Sequence, residues 1–337
     1  MRQGLYRDPL DGDPLTPQGA DLLSPSGRRW PAFAGGWDLR PARIDENESL
    51  QAGIYDGKLG ELSDFDHPHN LTLAHQRQLL VALDLPAGGS VLEIGGHRSG
   101  VLPWLERHHG AAGSGIDVSP VWVKAHNALA AKRGSSSVWV LGTAEALPFQ
   151  DGVFDAIVAF DVFEHVSDLN AALREAARVL RPGGKLVCHL PVKDIGGSFD
   201  GWQRWRDAAD FAARQATVGH FHERLPTRAQ MRTRLEGSGF DVLDVHSFNV
   251  WIQPLHDHRL VPWLGGLRHR NDDRDAAGTP TVRAELPGQV ASRFQRFYAR
   301  LALPVAAAAS GVDRVGARFG IGGSCSYVAR RSAIAAP

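Results

Sequence analysis

Between Ser90 and Leu190 the sequence alternates short apolar runs with stretches of helical period, and few folds accommodate that alternation. The apolar runs are Ser90–Ile94, a segment closing on Gly115-Ile116-Asp117, Ser137–Leu141, Phe154–Phe160 and Gly184–Leu190. Between them lie Val101–His109, a helical stretch through Arg133, and Leu169–Leu180, where Ala172, Leu173, Ala176, Val179 and Leu180 share one face. Strands separated by helices in this way must return in the same direction. The expected class is therefore α/β, with a doubly wound and mostly parallel sheet. Ligands of such sheets sit beyond the carboxyl ends of the strands, so the residues following each strand are where chemistry is sought.

Those positions hold a coherent set of groups. Val91-Leu92-Glu93-Ile94-Gly95-Gly96-His97-Arg98-Ser99-Gly100 places an acid at the end of the first strand and glycines in the turn after it. Glycine lets the backbone approach a ligand closely, and the helix that follows offers free N–H groups. Asp117 ends the second strand, where a carboxylate can accept both hydroxyls of a ribose; a carboxylate stabilising a helix N-terminus is the plainer alternative. Gly142-Thr143-Ala144-Glu145-Ala146-Leu147-Pro148-Phe149 follows the third strand, Asp161-Val162-Phe163-Glu164-His165-Val166 the fourth, and Leu180-Arg181-Pro182-Gly183-Gly184 leads into the fifth.

Taken in order, residues 88–191 resemble a class I S-adenosylmethionine-dependent methyltransferase of the small-molecule branch. The resemblance implies a seven-stranded Rossmann-like sheet and S-adenosyl-L-methionine as cofactor. It places Glu93, Gly95, Gly96 and His97 around the methionine part, Asp117 and Val118 at the ribose, Thr143, Ala144 and Glu145 at the adenine, and Phe160 and Asp161 near the sulfonium. Two positions depart from the family pattern. His97 and Ser99 stand where glycines are usual, with Gly100 one place late, and Thr143 stands where an aspartate is common.

For catalysis, His165 can take a proton from a hydroxyl acceptor as the methyl moves, or simply close the turn after strand four. His220, His222 and Glu223 follow the expected substrate segment and are further candidates for contact with the acceptor. The spacing of the two histidines would aim both at one metal only on a regular strand, which this polar stretch does not resemble, so no metal is expected. His256-Asp257-His258 lies in a polar loop and reads as solvated. Trp202 and Trp205, three apart, are expected to share a helical face that packs over the core or stacks on a substrate, and Cys188 and Cys325 to be small buried hydrophobes in strands.

The flanks divide the chain. Residues 1–45, rich in proline and glycine, form a small strand-and-loop appendage resembling the zinc-ribbon-like module that precedes some bacterial methyltransferase domains. Arg7, Asp11 and Ser24 stand where its thiolates would be, so no zinc is expected there. Residues 46–87 supply a lid, with Tyr55, Phe65, His67 and His69, and a helix over Leu71–Leu85. Residues 88–337 form the methyltransferase domain, with insertions near 192–226 and 251–320. Within these, Arg228–Gly237 reads as a helix, Phe240–Val250 as a strand, 251–286 as irregular, Val290–Leu303 as a helix and Ser324–Ala329 as a closing strand.

Composition narrows the function classes. Lys plus Arg and Asp plus Glu each number 37, which disfavours a nucleic-acid or acidic-membrane binder working by bulk charge. Two cysteines rule out a disulfide scaffold or a four-thiolate zinc site. No run of about eighteen apolar residues occurs and the N-terminus lacks a signal-peptide core, so a cytoplasmic protein with no membrane partner is expected. The expected function is methyl transfer to an oxygen, or in second place a nitrogen, of a small molecule in a biosynthetic pathway. The alternatives are the same cofactor site turned to non-methylating chemistry such as cyclisation, and a non-catalytic binding subunit. A nicotinamide dehydrogenase is excluded because the first turn lacks Gly-x-Gly-x-x-Gly spacing. The sequence leaves the oligomeric state open, a homodimer being one option.

Overall fold

The structure is a computed structural model that describes residues 4–41, 53, 62–68, 70–97, 99–216, 220, 222–248, 250–256, 293–319 and 321–333. Tyr55, His69, Asp257 and His258 lie outside the described residues.

Five short strands open the chain: β1 (Thr16–Gln18), β2 (Asp21–Leu23), β3 (Arg29–Trp30), β4 (Ala32–Phe33) and β5 (Gly36–Trp37). Helix α1 (Leu71–Ala82) leads into the alternating region of β6 (Ser90–Ile94), α2 (Val101–His109), β7 (Ala112–Asp117), α3 (Pro120–Arg133), β8 (Val138–Leu141), β9 (Phe154–Phe160), α4 (Leu169–Val179) and β10 (Leu180–Leu190). Beyond it come α5 (Phe199–Arg206), α6 (Ala208–Ala216), α7 (Arg228–Gly237), β11 (Phe240–Phe248), α8 (Ile252–Leu255), α9 (Arg293–Arg318) and β12 (Ser324–Arg331).

One seven-stranded sheet runs β11-β12-β10-β9-β6-β7-β8. The five strands from β10 to β8 are parallel, and β12 inserts antiparallel between β10 and β11, pairing Cys188 with Tyr327 and Leu190 with Cys325. Every residue of β6 is buried, as expected of a central strand covered by helices on both faces. Both cysteines are free and buried. Strand order reverses at β6, which pairs with β7 on one side and β9 on the other. That reversal opens a crevice beyond their carboxyl ends.

The N-terminal strands continue this architecture. Leu39 N–H donates to the Leu141 carbonyl at 2.8 Å and Asp38 bridges Leu141 in parallel, covering the β8 edge. Tyr6 packs edge-on to Trp37 and against Phe149, within the main core. At the positions where thiolates were sought, Arg7 pairs with Asp151 at 3.2 Å and Ser24 with Ser26 at 2.7 Å. Arg28 ties Asp8 and Asp11 together at 2.6 and 2.9 Å. An arginine thus clamps the two turns.

Three expectations are corrected. The C-terminal helix does not stop at Leu303 but passes through Pro304 to Arg318. Its Ala302 and Ala306 pack on Leu71 and Ala74 of α1, and this tertiary contact outweighs the local helix-breaking tendency of proline. Trp202 and Trp205 do not pack over the core, because α5 buries only Phe199. Trp202 is 38% exposed beside Phe199 and under the Arg206 guanidinium, and Trp205 is 82% exposed. Within 251–286, Ile252–Leu255 is helical and the residues from Asp257 lie outside the described ones. Among the described residues no helix is long and apolar enough to cross a membrane.

Candidate active site

The crevice at the strand reversal holds a cavity of about 420 Å³, within the range that takes a small-molecule ligand. Strand ends supply one wall with Glu93, Gly95, His97, Asp117, Val118, Ala144 and Glu145. Phe160, Asp161 and His165 supply the other end. These include ten of the fifteen residues singled out from the sequence.

The first turn shows how the missing glycines are replaced. Gly95 adopts φ +77°, and a Cβ there would stand 2.4 Å from Val162 Cγ2, so this position does demand glycine. Gly95 N–H donates to the Ile116 carbonyl at 2.9 Å, and Gly96 N–H to Asp117 Oδ2 at 2.6 Å. Behind the turn His126 lies flat on Trp139, ring centroids 4.2 Å apart, and its Nε2–H donates to the Gly96 carbonyl at 2.5 Å. His97 sits edge-on to Trp122 at 5.0 Å, while Ser99 Oγ hydrogen-bonds Glu93 and accepts from Val101 N–H at 3.1 Å. Side-chain anchors therefore set a loop that small glycines more usually shape. Burial, with the Asp117 charge beside it, pushes the Glu93 carboxyl up to about 8, so it stands protonated at neutral pH. Burial likewise holds His126 down to about 4, keeping its imidazole neutral.

Asp117 is preset for recognition. Oδ1 accepts Ser119 N–H at 2.8 Å and Oδ2 accepts Gly96 N–H, and each carboxylate oxygen can take a second hydrogen bond. These contacts, the glycine that no Cβ can replace and the volume of the cavity fit a nucleoside sulfonium.

Two expected cofactor residues do not line the cavity. Gly96 serves through its amide to Asp117, and Thr143 is buried while its neighbours Gly142 and Ala144 face inward. Of the acceptor candidates, the structure unites His165 with His220, their rings 5.2 Å apart, but parts both from His222 and Glu223. His222 lies edge-on to Phe211, and Glu223 is an exposed partner of Lys193 and Arg204. Glu164, passed over in the sequence, lies fully buried between His165 (3.9 Å) and His220 (3.5 Å). Burial, countered by His220, drives its carboxyl up to about 7. For His220 itself burial opposes the charged form, but the nearby Glu164, Asp161 and Asp200 outweigh it and leave the imidazole more basic than usual.

Also missed were Asn70, Thr72 and Gln76 of the α1 region and Ser63 before it, which line the cavity together with Phe65 of the expected lid. A buried glutamine on the apolar face of α1 was the available signal for Gln76.

Residues 92–188 match the family model described as a methyltransferase domain. Over that stretch the chain carries a methyltransferase domain. Within the matched region the chain is similar to the "Probable tocopherol O-methyltransferase, chloroplastic" of Oryza sativa subsp. japonica, 36% identical over 153 residues that are 42% of each chain. It is also similar to the "Ubiquinone/menaquinone biosynthesis C-methyltransferase UbiE" of Caulobacter vibrioides (strain NA1000 / CB15N), 32% identical over 130 residues, 35% of this chain and 51% of that one. This chain therefore spans about half the length or less of these curated relatives. In fold the methyltransferase domain and its surroundings match the [4+2]-cyclase SpnF at a TM-score of 0.50 and 21% identity, over 77% of this chain and 81% of that one.

Proposed function

We propose that the chain transfers the methyl group of S-adenosylmethionine to an oxygen of a small-molecule acceptor in a biosynthetic pathway. The observation that carries the reading is a single cavity lined by Asp117 at the end of β7 and by Asp161 and His165 after β9, two strands that flank β6. Asp117 would hold the ribose hydroxyls, while Glu93 and Gly95 border the methionine part and Phe160 and Asp161 lie toward the sulfonium. When bound, the cofactor supplies an already electrophilic methyl group. The protein's task is to align the acceptor for in-line attack and to draw off its proton. At its end of the cavity His165 would take the hydroxyl proton of the acceptor. Similarity to a tocopherol O-methyltransferase supports oxygen as the acceptor atom, and similarity to a ubiquinone C-methyltransferase favours ring carbon as the second reading.

The test combines binding with product analysis. Asp117→Asn should weaken S-adenosylhomocysteine binding by about 1.5–3 kcal/mol, roughly 10- to 150-fold, in titration calorimetry; unchanged affinity would remove Asp117 from the site. Mass spectrometry of reactions with hydroxylated aromatic acceptors should find one added methyl, and NMR of the product tells oxygen from carbon. His165→Ala should lower turnover by roughly 10²–10⁴-fold with cofactor affinity retained.

A further inference from the structure

Glu164 is among the buried polar groups whose hydrogen bonding the fold leaves incomplete. Its carboxylate is wholly removed from solvent, and neither oxygen accepts a well-formed hydrogen bond from a described residue. A buried carboxylate without such partners is expensive unless a positive charge stands against it. The groups facing it are two imidazoles, His165 and His220, and Asp161 adds a further negative charge nearby. Three carboxylates, Glu164, Asp161 and Asp200, act on the His220 ring. The cluster thus gathers three carboxyl groups around two imidazoles.

Its geometry is that of a ligand set. One donor atom each from Glu164, His165 and His220 falls within 4.8 Å of the others, a triangle into which one ion fits. The turn after β9 places the first two, and the His165 N–H to Val162 carbonyl bond, 2.9 Å, closes that turn. His220 follows α6 in the chain and has its orientation set by Gln215. Nδ1 hydrogen-bonds Gln215 Oε1 at 3.0 Å and the His220 N–H donates to the Gln215 carbonyl at 3.0 Å, which leaves Nε2 aimed at Glu164. Fixing one ring nitrogen so that the other faces the ion is how proteins prepare a histidine ligand.

We propose that Glu164, His165 and His220 bind a divalent first-row transition ion at the acceptor end of the methyl-transfer cavity. Two imidazoles and one carboxylate suit zinc, manganese, iron(II) or cobalt rather than magnesium or calcium, and three protein ligands leave positions open. Of the three ligands His165 lines the cavity, which puts the site at the cavity wall. This role rests on the proposed function. An ion held there would lower the pKa of an acceptor hydroxyl that reached it, the proton would leave to solvent, and His165 would then serve as ligand rather than as proton acceptor. Acceptors that chelate through two neighbouring oxygens fit such a centre best.

The experiment is calorimetric titration of the chelator-stripped full chain with Zn²⁺, with Co²⁺ absorption spectra recorded in parallel. One ion per chain should bind, and Co²⁺ should show visible bands of a nitrogen and oxygen environment. Glu164→Gln and His220→Ala should each weaken binding by about 100-fold or more, beyond the usual loss from an outer-shell partner. His108→Ala, a surface histidine outside the cluster, should leave it unchanged. His220 is partly accessible, so its variant keeps the test valid where Glu164→Gln fails to fold. Absence of 1:1 binding, or wild-type affinity in both variants, would overturn the proposal and leave the cluster as an imidazole–carboxylate ion pair. S-adenosylhomocysteine titrated into the same samples separates the two ideas. Cofactor binding without metal binding sinks only the metal centre, and loss of cofactor binding in the wild type sinks the methyltransferase reading.

Discussion

His126 offers a quantitative test of how the first turn is held. Its ring is buried on Trp139 and its Nε2–H supports the Gly96 carbonyl, whose residue in turn grips Asp117 through its amide. Burial lowers its pKa from 6.5 to about 4, so below pH 6.5 the unfolded chain binds a proton that the folded chain refuses. The neutral ring's contribution is complete above the unfolded value and is lost as pH falls toward the folded one. At pH 5 the loss is about 2 kcal/mol, from the difference between 6.5 and 4. His126→Phe keeps an aromatic ring on Trp139 but removes both the titration and the donor. Leaving the Gly96 carbonyl unsatisfied should make the variant about 1–3 kcal/mol less stable at pH 7.5. That gap should narrow by about 2 kcal/mol at pH 5, because only the wild type loses the stability tied to this proton. Urea unfolding followed by tryptophan fluorescence at the two pH values measures it. A gap that stays the same at both would show that the ring takes up its proton equally well folded and unfolded, and the reasoning would fail.

Glu93 has the opposite sign. Its carboxyl is pushed up to about 8, so the folded chain keeps a proton that the unfolded chain releases, and stability falls as pH rises from about 4.5 to 8. Glu93→Gln, matched in shape to the protonated acid, should melt with the wild type near pH 4.5 and above it at pH 8. Gly36→Ala would put a Cβ 2.0 Å from the Trp139 carbonyl, where neither backbone can yield. A loss of about 1–3 kcal/mol and faster proteolytic release of the N-terminal strands are expected; wild-type resistance to protease would show that this contact does not hold them.

Much of the central sheet was legible because its signals are local. Apolar runs bounded by turn residues mark β6 to β10, and the acids that end β6 and β7 need only their strands to be brought to the cavity. Positions that alternate across a turn were less legible. Thr143 and Ala144 are adjacent in the chain, yet only Ala144 lines the cavity, since the direction of a side chain after a strand depends on the loop's path.

Sequence alone determined the α/β class, the strands and their intervening helices, and the strand-end residues Glu93, Asp117 and Asp161. Each follows from a period of two or of 3.6 and from the way a parallel sheet presents its ends. Tertiary structure decided the rest. It carried α9 through Pro304 by docking an alanine face on α1, and stacked His126 under a turn short of glycines. It also joined His220 to Glu164 while sending His222, two residues away, to Phe211. These contacts link segments distant in the chain, and they depend on how finished elements pack, which no local period encodes.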